Sequence, residues 1–299
     1  MSRGEKILDI SPEEEVKIYR ADISDLASLE RSFPLAGNMN IIFHLAACTD
    51  YNASKEKLFR TNVKGTLNLL NLAVKRGIKK FVYISSIEAM GPITKEQIPA
   101  EESYVCQPVN AYGESKLEAE KQVTRVGSEG KVETVILRLG NVYGPKSLSF
   151  ISPISSAILS KNKRWLYFNR DRYLWHPVYI EDVIDGIMKA AEIKGINNTY
   201  ILTDAEYITV EGLSQLIARA LDIDARTLRL NKIEKLCLSL RRQADNFYHC
   251  RGDSVKERPH WIFSIEKAIR EFGYSPKVNL REGIAKTIEW AKKEGLLPK

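Results

Sequence analysis

Lys80-Phe-Val-Tyr-Ile-Ser-Ser86 is an unbroken apolar run that ends in two hydroxyls, followed by Ile-Glu-Ala-Met-Gly91. A strand exposed on one face alternates apolar with polar residues; a parallel strand covered on both faces does not. The run therefore reads as the centre of a parallel sheet. Working outward, further strand candidates are Val16 to Tyr19, Asn40 to Ala46, Thr134 to Leu139 and Asn198 to Leu202. Segments of helical period separate them. Ser54 to Arg76 places Leu58, Val63, Leu67, Leu70 and Val74 on one face and stops at Gly77, and another helix is predicted from about Ala111. The alternation is that of βαβ units.

Beyond about residue 145 the pattern loosens into the basic, aromatic stretch Lys161 to Trp175. Helix-like segments follow at Glu181 to Ile193, Val210 to Leu221, Ser264 to Phe272 and Leu280 to Gly295. This division predicts a nucleotide-binding unit over 1–145 with a returning segment around 176–204, and a smaller, mainly helical substrate subdomain over 146–175 and 205–299. With 299 residues, 44% hydrophobic and 28% charged, the chain is of ordinary globular composition. Its formal charge of +7 tolerates anionic ligands without indicating nucleic acid. Cys48, Cys106, Cys237 and Cys250 form no C-x-x-C pair, and the start MSRGEKILDI is not a signal segment, so a cytoplasmic protein is expected. No apolar run is long enough to span a bilayer; peripheral contact stays possible.

Asn110-Ala-Tyr112-Gly-Glu-Ser-Lys116-Leu-Glu-Ala-Glu120 is the segment richest in chemistry. On a helix, residues four apart share a face, so the Tyr112 hydroxyl and Lys116 ammonium can enter one cleft. A nearby cation favours the phenolate, bringing a phenol of ordinary pKa near ~10 into range for proton transfer. Y-x-x-x-K alone also describes a surface tyrosine and a solvated lysine. Upstream, however, Ser85 and Ser86 close a parallel strand, where open α/β sheets bind ligands. A serine there can polarise a substrate oxygen or simply cap the following turn.

These residues, with Asp22-Ile-Ser-Asp25, His44-Leu-Ala-Ala47, Asn62-Val-Lys-Gly65-Thr66, Leu137-Arg-Leu-Gly-Asn141-Val-Tyr-Gly-Pro145 and His176-Pro-Val-Tyr-Ile-Glu-Asp182, appear in the order found in the extended short-chain dehydrogenase/reductases. That group includes NAD-dependent epimerase/dehydratases and 3β-hydroxysteroid dehydrogenase-like enzymes. The resemblance runs from about residue 15 to about residue 295 and implies an α/β, Rossmann-type doubly wound parallel sheet. It implies Ser86, Tyr112 and Lys116 as the catalytic group, Ser86 being five residues before Gly91. It also implies Asp22, Ala46, Ala47, Asn62 and Ser85, together with Tyr112 and Lys116, around NAD or NADP. Arg172 and Asn141 are the substrate-binding candidates, and a homodimer through the Tyr112 helix is the implied assembly.

The sequence departs from this pattern at its start. The resemblance implies a GxxGxxG turn, whereas the first glycines are Gly4, Gly37, Gly65 and Gly77. The fold is thus expected to be N-terminally incomplete, with Val16 to Tyr19 stranded and the 299-residue chain a weak cofactor binder. A shortened reading of an ordinary enzyme explains this better than loss of the chemistry, because Ser86, Tyr112 and Lys116 are all present.

The expected reaction is hydride transfer at a carbinol or carbonyl carbon, as oxidoreduction, epimerisation or dehydration. Trp175-His176-Pro177 stands where nucleotide-sugar members of the family carry an arginine, so steroid- or isoprenoid-like substrates are weighed beside nucleotide sugars. Arg3 hints at NADP. The alternative is a cofactor-free binding protein with an RNA-binding patch at Lys161, Lys163, Arg164, Trp165, Tyr167, Phe168, Arg170 and Arg172, though nucleic acid is not the expected partner. Leu228 to Arg242 carries an apolar stripe beside basic residues, suited to packed core, a substrate lid or a membrane surface. His249, Cys250, His260 and Cys237 match no compact metal pattern, and no metal is expected.

Overall fold

A computed structural model of the chain describes residues 17–33, 37, 39–159, 174–195, 198–222 and 260–297. In order, α1 (Leu26–Ser32) precedes β1 (Ile41–His44); then come α2 (Lys55–Phe59), a π-helical turn (Arg60–Lys64), α3 (Gly65–Lys75), β2 (Lys80–Ser86), α4 (Ala111–Ser128) and β3 (Glu133–Leu139). The chain continues through β4 (Asn141–Tyr143), α5 (Leu148–Leu159), β5 (Leu174–Trp175), β6 (Pro177–Tyr179), α6 (Ile180–Glu192), β7 (Asn198–Leu202), β8 (Ile208–Thr209) and α7 (Val210–Ala220). Two helices close it, α8 (Glu266–Phe272) and α9 (Leu280–Lys293).

The main sheet has the order β1-β2-β3-β7, all parallel, with Ile41 opposite Lys80, Lys80 opposite Glu133 and Val135 opposite Asn198. Side chains alternate across β2. Phe81 and Tyr83 join Leu70, Ala73, Ala119 and Val123 under α3 and α4, while Val82 joins Val135, Leu137, Ile187 and Ala268 under α6 and α8. Covered on both faces, the strand gains apolar burial on both, which accounts for its unbroken hydrophobic sequence. A third cluster, with Tyr143, Ile151, Tyr179, Ile217, Ile284 and Ile288, joins β4, α5, β6, α7 and α9. The sheet and its flanking helices form the Rossmann-type α/β fold.

The first strand candidate is corrected. Lys17 to Tyr19 joins no strand ladder among the described residues, with Ile18 and Tyr19 exposed, and Val16 lies outside the described residues. An apolar tripeptide becomes a strand only beside an edge that takes its backbone hydrogen bonds. Here the neighbouring segment is tied to α1 instead: the Ser32 hydroxyl donates to the Arg20 carbonyl, and the Asp22 N–H donates to the Ser28 hydroxyl. The helix read over Ser54 to Arg76 exists, capped by Ser54, but it contains the π turn at Arg60–Lys64.

Candidate active site

The end of β2 and the start of α4 are clamped together by short-range packing. Asn110, extended at φ −145°, caps α4: its Oδ1 accepts the Gly113 N–H at 2.8 Å and its Nδ2 donates to Glu88 Oε2 at 2.8 Å. Glu88 lies in the short turn after β2, where its own N–H donates to Ser86 Oγ at 3.2 Å. A β-carbon on Gly113 would strike the Glu88 carbonyl, and one on Gly91, at φ +79°, would strike the Gln107 carbonyl. Glycine at both positions lets α4 close on the turn.

That closure brings the Tyr112 phenol beside the Ser86 hydroxyl, which acts to lower the phenol's pKa. Tyr51, from the loop after β1, lays its ring 5.3 Å from the Tyr112 ring and directs its hydroxyl to Glu88 Oε1 at 3.4 Å. Lys116, 3% exposed, donates to the Ile84 carbonyl at 2.5 Å and sits 4.3 Å from the centre of the Tyr83 ring. Tyr112 thus lies beside Ser86 where the β2 ladder ends, and Lys116, one helical turn further along α4, is held against Ile84 and Tyr83.

Burial governs the charges. It pushes Tyr112 up to about 12, helped by the Glu88 carboxylate and opposed by the Ser86 hydroxyl. It brings Lys116 down to about 7, against the pull of Glu120, and His44 down to about 3, with Lys116 adding to that. The expectation that Lys116 draws the phenol down is corrected on this point. The ammonium is engaged by Ile84 and Tyr83, and burial of the phenol, with Glu88 beside it, sets the Tyr112 value. At neutral pH Tyr112 is therefore a proton donor.

The other predicted residues divide. Ala46 and Ala47, half-buried, follow β1 at the same end of the sheet. Asn62 is buried in the π turn, where Oδ1 accepts the Cys48 N–H at 2.7 Å and Nδ2 donates to the Cys48 carbonyl at 3.1 Å and Ser115 Oγ at 2.9 Å. It braces the loop after β1 with both ends of its amide. Asp22 Oδ1 takes the Ser24 N–H and hydroxyl, each at 2.8 Å, which lowers its pKa. Ser85 is not brought into the cleft: its hydroxyl donates to Glu120 Oε1 at 2.5 Å in the interior. Asn141 opens β4 and is exposed.

Arg172, Arg3, the basic-aromatic stretch from Lys161 to Arg172, Leu228 to Arg242, Cys237, His249 and Cys250 lie outside the described residues. Glu88, Tyr51 and Glu120 were missed as site residues. Glu88 was signalled only by standing two residues beyond Ser86, and Tyr51 by nothing local. His176, in the His-Pro-Val-Tyr motif, is a core residue: Nε2 donates to the Asp204 carbonyl at 2.9 Å and Nδ1 accepts the Phe263 N–H.

The donor set fits the nicotinamide end of NAD(P). Lys116 offers a dehydrated ammonium whose partners are a carbonyl and a ring, suited to neutral ribose hydroxyls. Among the described residues no glycine-rich turn joins a strand to a helix N-terminus. Among them, too, no group of three or more His, Cys, Asp or Glu is placed to hold a metal, and no helix is long and apolar enough to cross a membrane.

Known proteins share this framework. dTDP-D-glucose 4,6-dehydratase of Mus musculus is 27% identical over 293 residues, 95% of this chain and 76% of that protein. A 4-hydroxy-2-methyl-3-oxo-4-farnesyl-3,4-dihydroquinoline-1-oxide ketoreductase of Stigmatella aurantiaca is 28% identical over 278 residues, 87% of this chain and 80% of that one. Among solved structures, UDP-glucose 4-epimerase of Thermotoga maritima with UDP-glucose superposes with a TM-score of 0.72 at 26% identity, covering 92% of this chain and 84% of its own. The sequence model that matches residues 3–202 describes NAD dependent epimerases and dehydratases, and it is to the NAD dependent epimerase/dehydratase family that this chain belongs.

Proposed function

We propose that this chain transfers hydride between NAD(P) and a carbinol or carbonyl carbon, with Ser86 orienting the substrate oxygen, Tyr112 moving its proton and Lys116 holding the nicotinamide ribose. The reading is carried by the Tyr112 phenol meeting the Ser86 hydroxyl at the end of β2. When bound, the nicotinamide ring supplies or accepts the hydride. The protein supplies the rest. A phenol held near 12 gives its proton to an alkoxide as it forms, and Ser86 fixes the oxygen that receives it. Ala46 and Ala47 are small enough for close approach of the dinucleotide, while Asn62 holds the Cys48 loop beside them. Residues 146–175 and 205–299 form the substrate side in this reading, with Asn141 and Arg172 as contacts, and the enzyme is a cytoplasmic homodimer.

The substrate carries a hydroxyl or ketone on a body that is either a nucleotide sugar or an isoprenoid-like ring. Purified chain is incubated with deuterated NADH or NADPH and prenylated or steroidal ketones as acceptors, and in parallel with oxidised NAD or NADP and UDP-glucose or dTDP-glucose deuterated at the carbinol carbons as donors. Deuterium appearing in one product class, and lost in Tyr112→Phe, supports the reading. No transfer to any class, or transfer unchanged in Tyr112→Phe, overturns it. Titration with NADH and NADPH in the same series measures how tightly the cofactor is held.

A further inference from the structure

Glu120 lies one helical turn beyond Lys116 on α4, 4% exposed, outside the cleft. A carboxylate taken this far from water needs matched donors. It has them from two strands. Ser85, on β2, donates to Oε1 at 2.5 Å. Arg138, on β3, donates Nε to Oε1 at 3.0 Å and to Oε2 at 3.2 Å, and Nη2 to Oε2 at 2.8 Å. Arg138 also reaches the Glu102 carbonyl at 3.3 Å. A single carboxylate therefore joins the helix that carries Tyr112 and Lys116 to the strand end that carries Ser86.

Ser85 and Ser86 alternate across β2, the first turned to Glu120 and the second to Tyr112. Fixing Ser85 fixes its neighbour through one peptide. A buried ion pair is a poor source of net stability, because dehydration offsets most of the attraction. Positional control is a better account of this one. We propose that Glu120 is a positioning residue for Ser86, Tyr112 and Lys116, setting the end of β2 against α4 and placing a carboxylate one helical turn from the Lys116 amine. The proposal rests on the reading of those three as the reacting group.

The surroundings of Lys116 give the charge argument. Tyr83 faces it from β2, and His44, neutral because buried, faces it from β1. Tyr112, on its own helix, is a neutral phenol. Glu120 is the charged group that favours the charged amine against burial, and Arg138 balances part of that carboxylate. Without Glu120, only the Ile84 carbonyl and the Tyr83 ring are left to favour the charged amine against burial.

The test uses the full chain as Glu120→Gln and as Glu120→Gln with Arg138→Met. The double variant removes both buried charges and covers the case in which a lone Arg138 prevents folding. The Lys116 side-chain nitrogen signal, assigned with Lys116→Arg, is titrated by NMR, and hydride transfer is followed in parallel. Expected is a fall of about one unit in the Lys116 midpoint in each folded variant, tenfold in the ammonium-to-amine ratio. Hydride transfer should slow by about tenfold or more, with restored rates at lower pH. A wild-type midpoint in the variants overturns the proposal, whatever happens to melting temperature. If wild type transfers no hydride yet the midpoint moves, the catalytic reading fails and control of Lys116 by Glu120 stands.

Discussion

Asn110 grips Glu88 with its amide nitrogen, at 2.8 Å from Oε2, while its amide oxygen caps α4 through the Gly113 N–H. One side chain thus starts the helix that bears Tyr112 and holds the carboxylate that faces the phenol. Asn110→Ala removes both contacts and should lower stability by about 1 kcal/mol from the cap alone, read by denaturant unfolding. Asn110→Asp keeps the cap but sets a second carboxylate against Glu88. It should melt above the alanine variant and still lose hydride transfer, whereas equal activity in Asn110→Asp and wild type would show that Glu88 needs no such hold.

Tyr112, raised to about 12, predicts opposite pH dependence for the two directions of reaction. Carbonyl reduction uses the phenol, the form present below that value. Carbinol oxidation needs the phenolate and should rise about tenfold per pH unit through the neutral and mildly alkaline range. Tyr112→Phe keeps the ring packed beside Tyr51 and removes the proton, so a loss of about 10²- to 10⁴-fold in rate with little change in melting is expected. Oxidation that stays flat with pH would place proton transfer on another group.

Gly113 leaves no room for a side chain. The helix start closes on the Glu88 carbonyl, backbone against backbone, so an added methyl has no flexible neighbour to displace. Gly113→Ala should move α4 away from the turn and separate Tyr112 from Ser86, despite the better helix propensity of alanine. Destabilisation by about 1 to 3 kcal/mol is expected, with lost hydride transfer. A more stable, fully active Gly113→Ala protein would show that the close approach is not needed.

The legible parts of this fold are those set by local burial and spacing. β2 and β7 have the bounds read from the sequence, because a strand covered on both faces needs an apolar run. Tyr112 and Lys116 were legible because four residues make one helical turn. What stayed hidden depends on distant partners. The π turn around Asn62 is held by the Cys48 backbone and Ser115, neither visible from the periodicity of residues 54–76. Ser85 and Ser86 differ only in which way they face. The pairing of Ser85 with Glu120 and Arg138 needs three separate segments to meet.

Asp204 gives the protein a second dependence on pH. It is 4% exposed, its Oδ2 lacks a hydrogen-bond partner, and burial, then the nearby Asp182 carboxylate, raises it to about 7. Asp182 itself is occupied by the Lys277 and Val278 N–H groups, which tie the chain between α8 and α9 to α6. In the unfolded chain Asp204 titrates near its ordinary value of ~4, so between that pH and 7 the folded state binds the extra proton. Its stabilisation is fully present below ~4 and is lost as pH rises through 7. The full span is on the order of 4 kcal/mol. Asp204→Asn keeps the shape without the charge. Unfolding free energy measured from pH 5 to pH 8 should fall less in the variant than in wild type, and identical slopes would mean that Asp204 ionises freely in the folded protein.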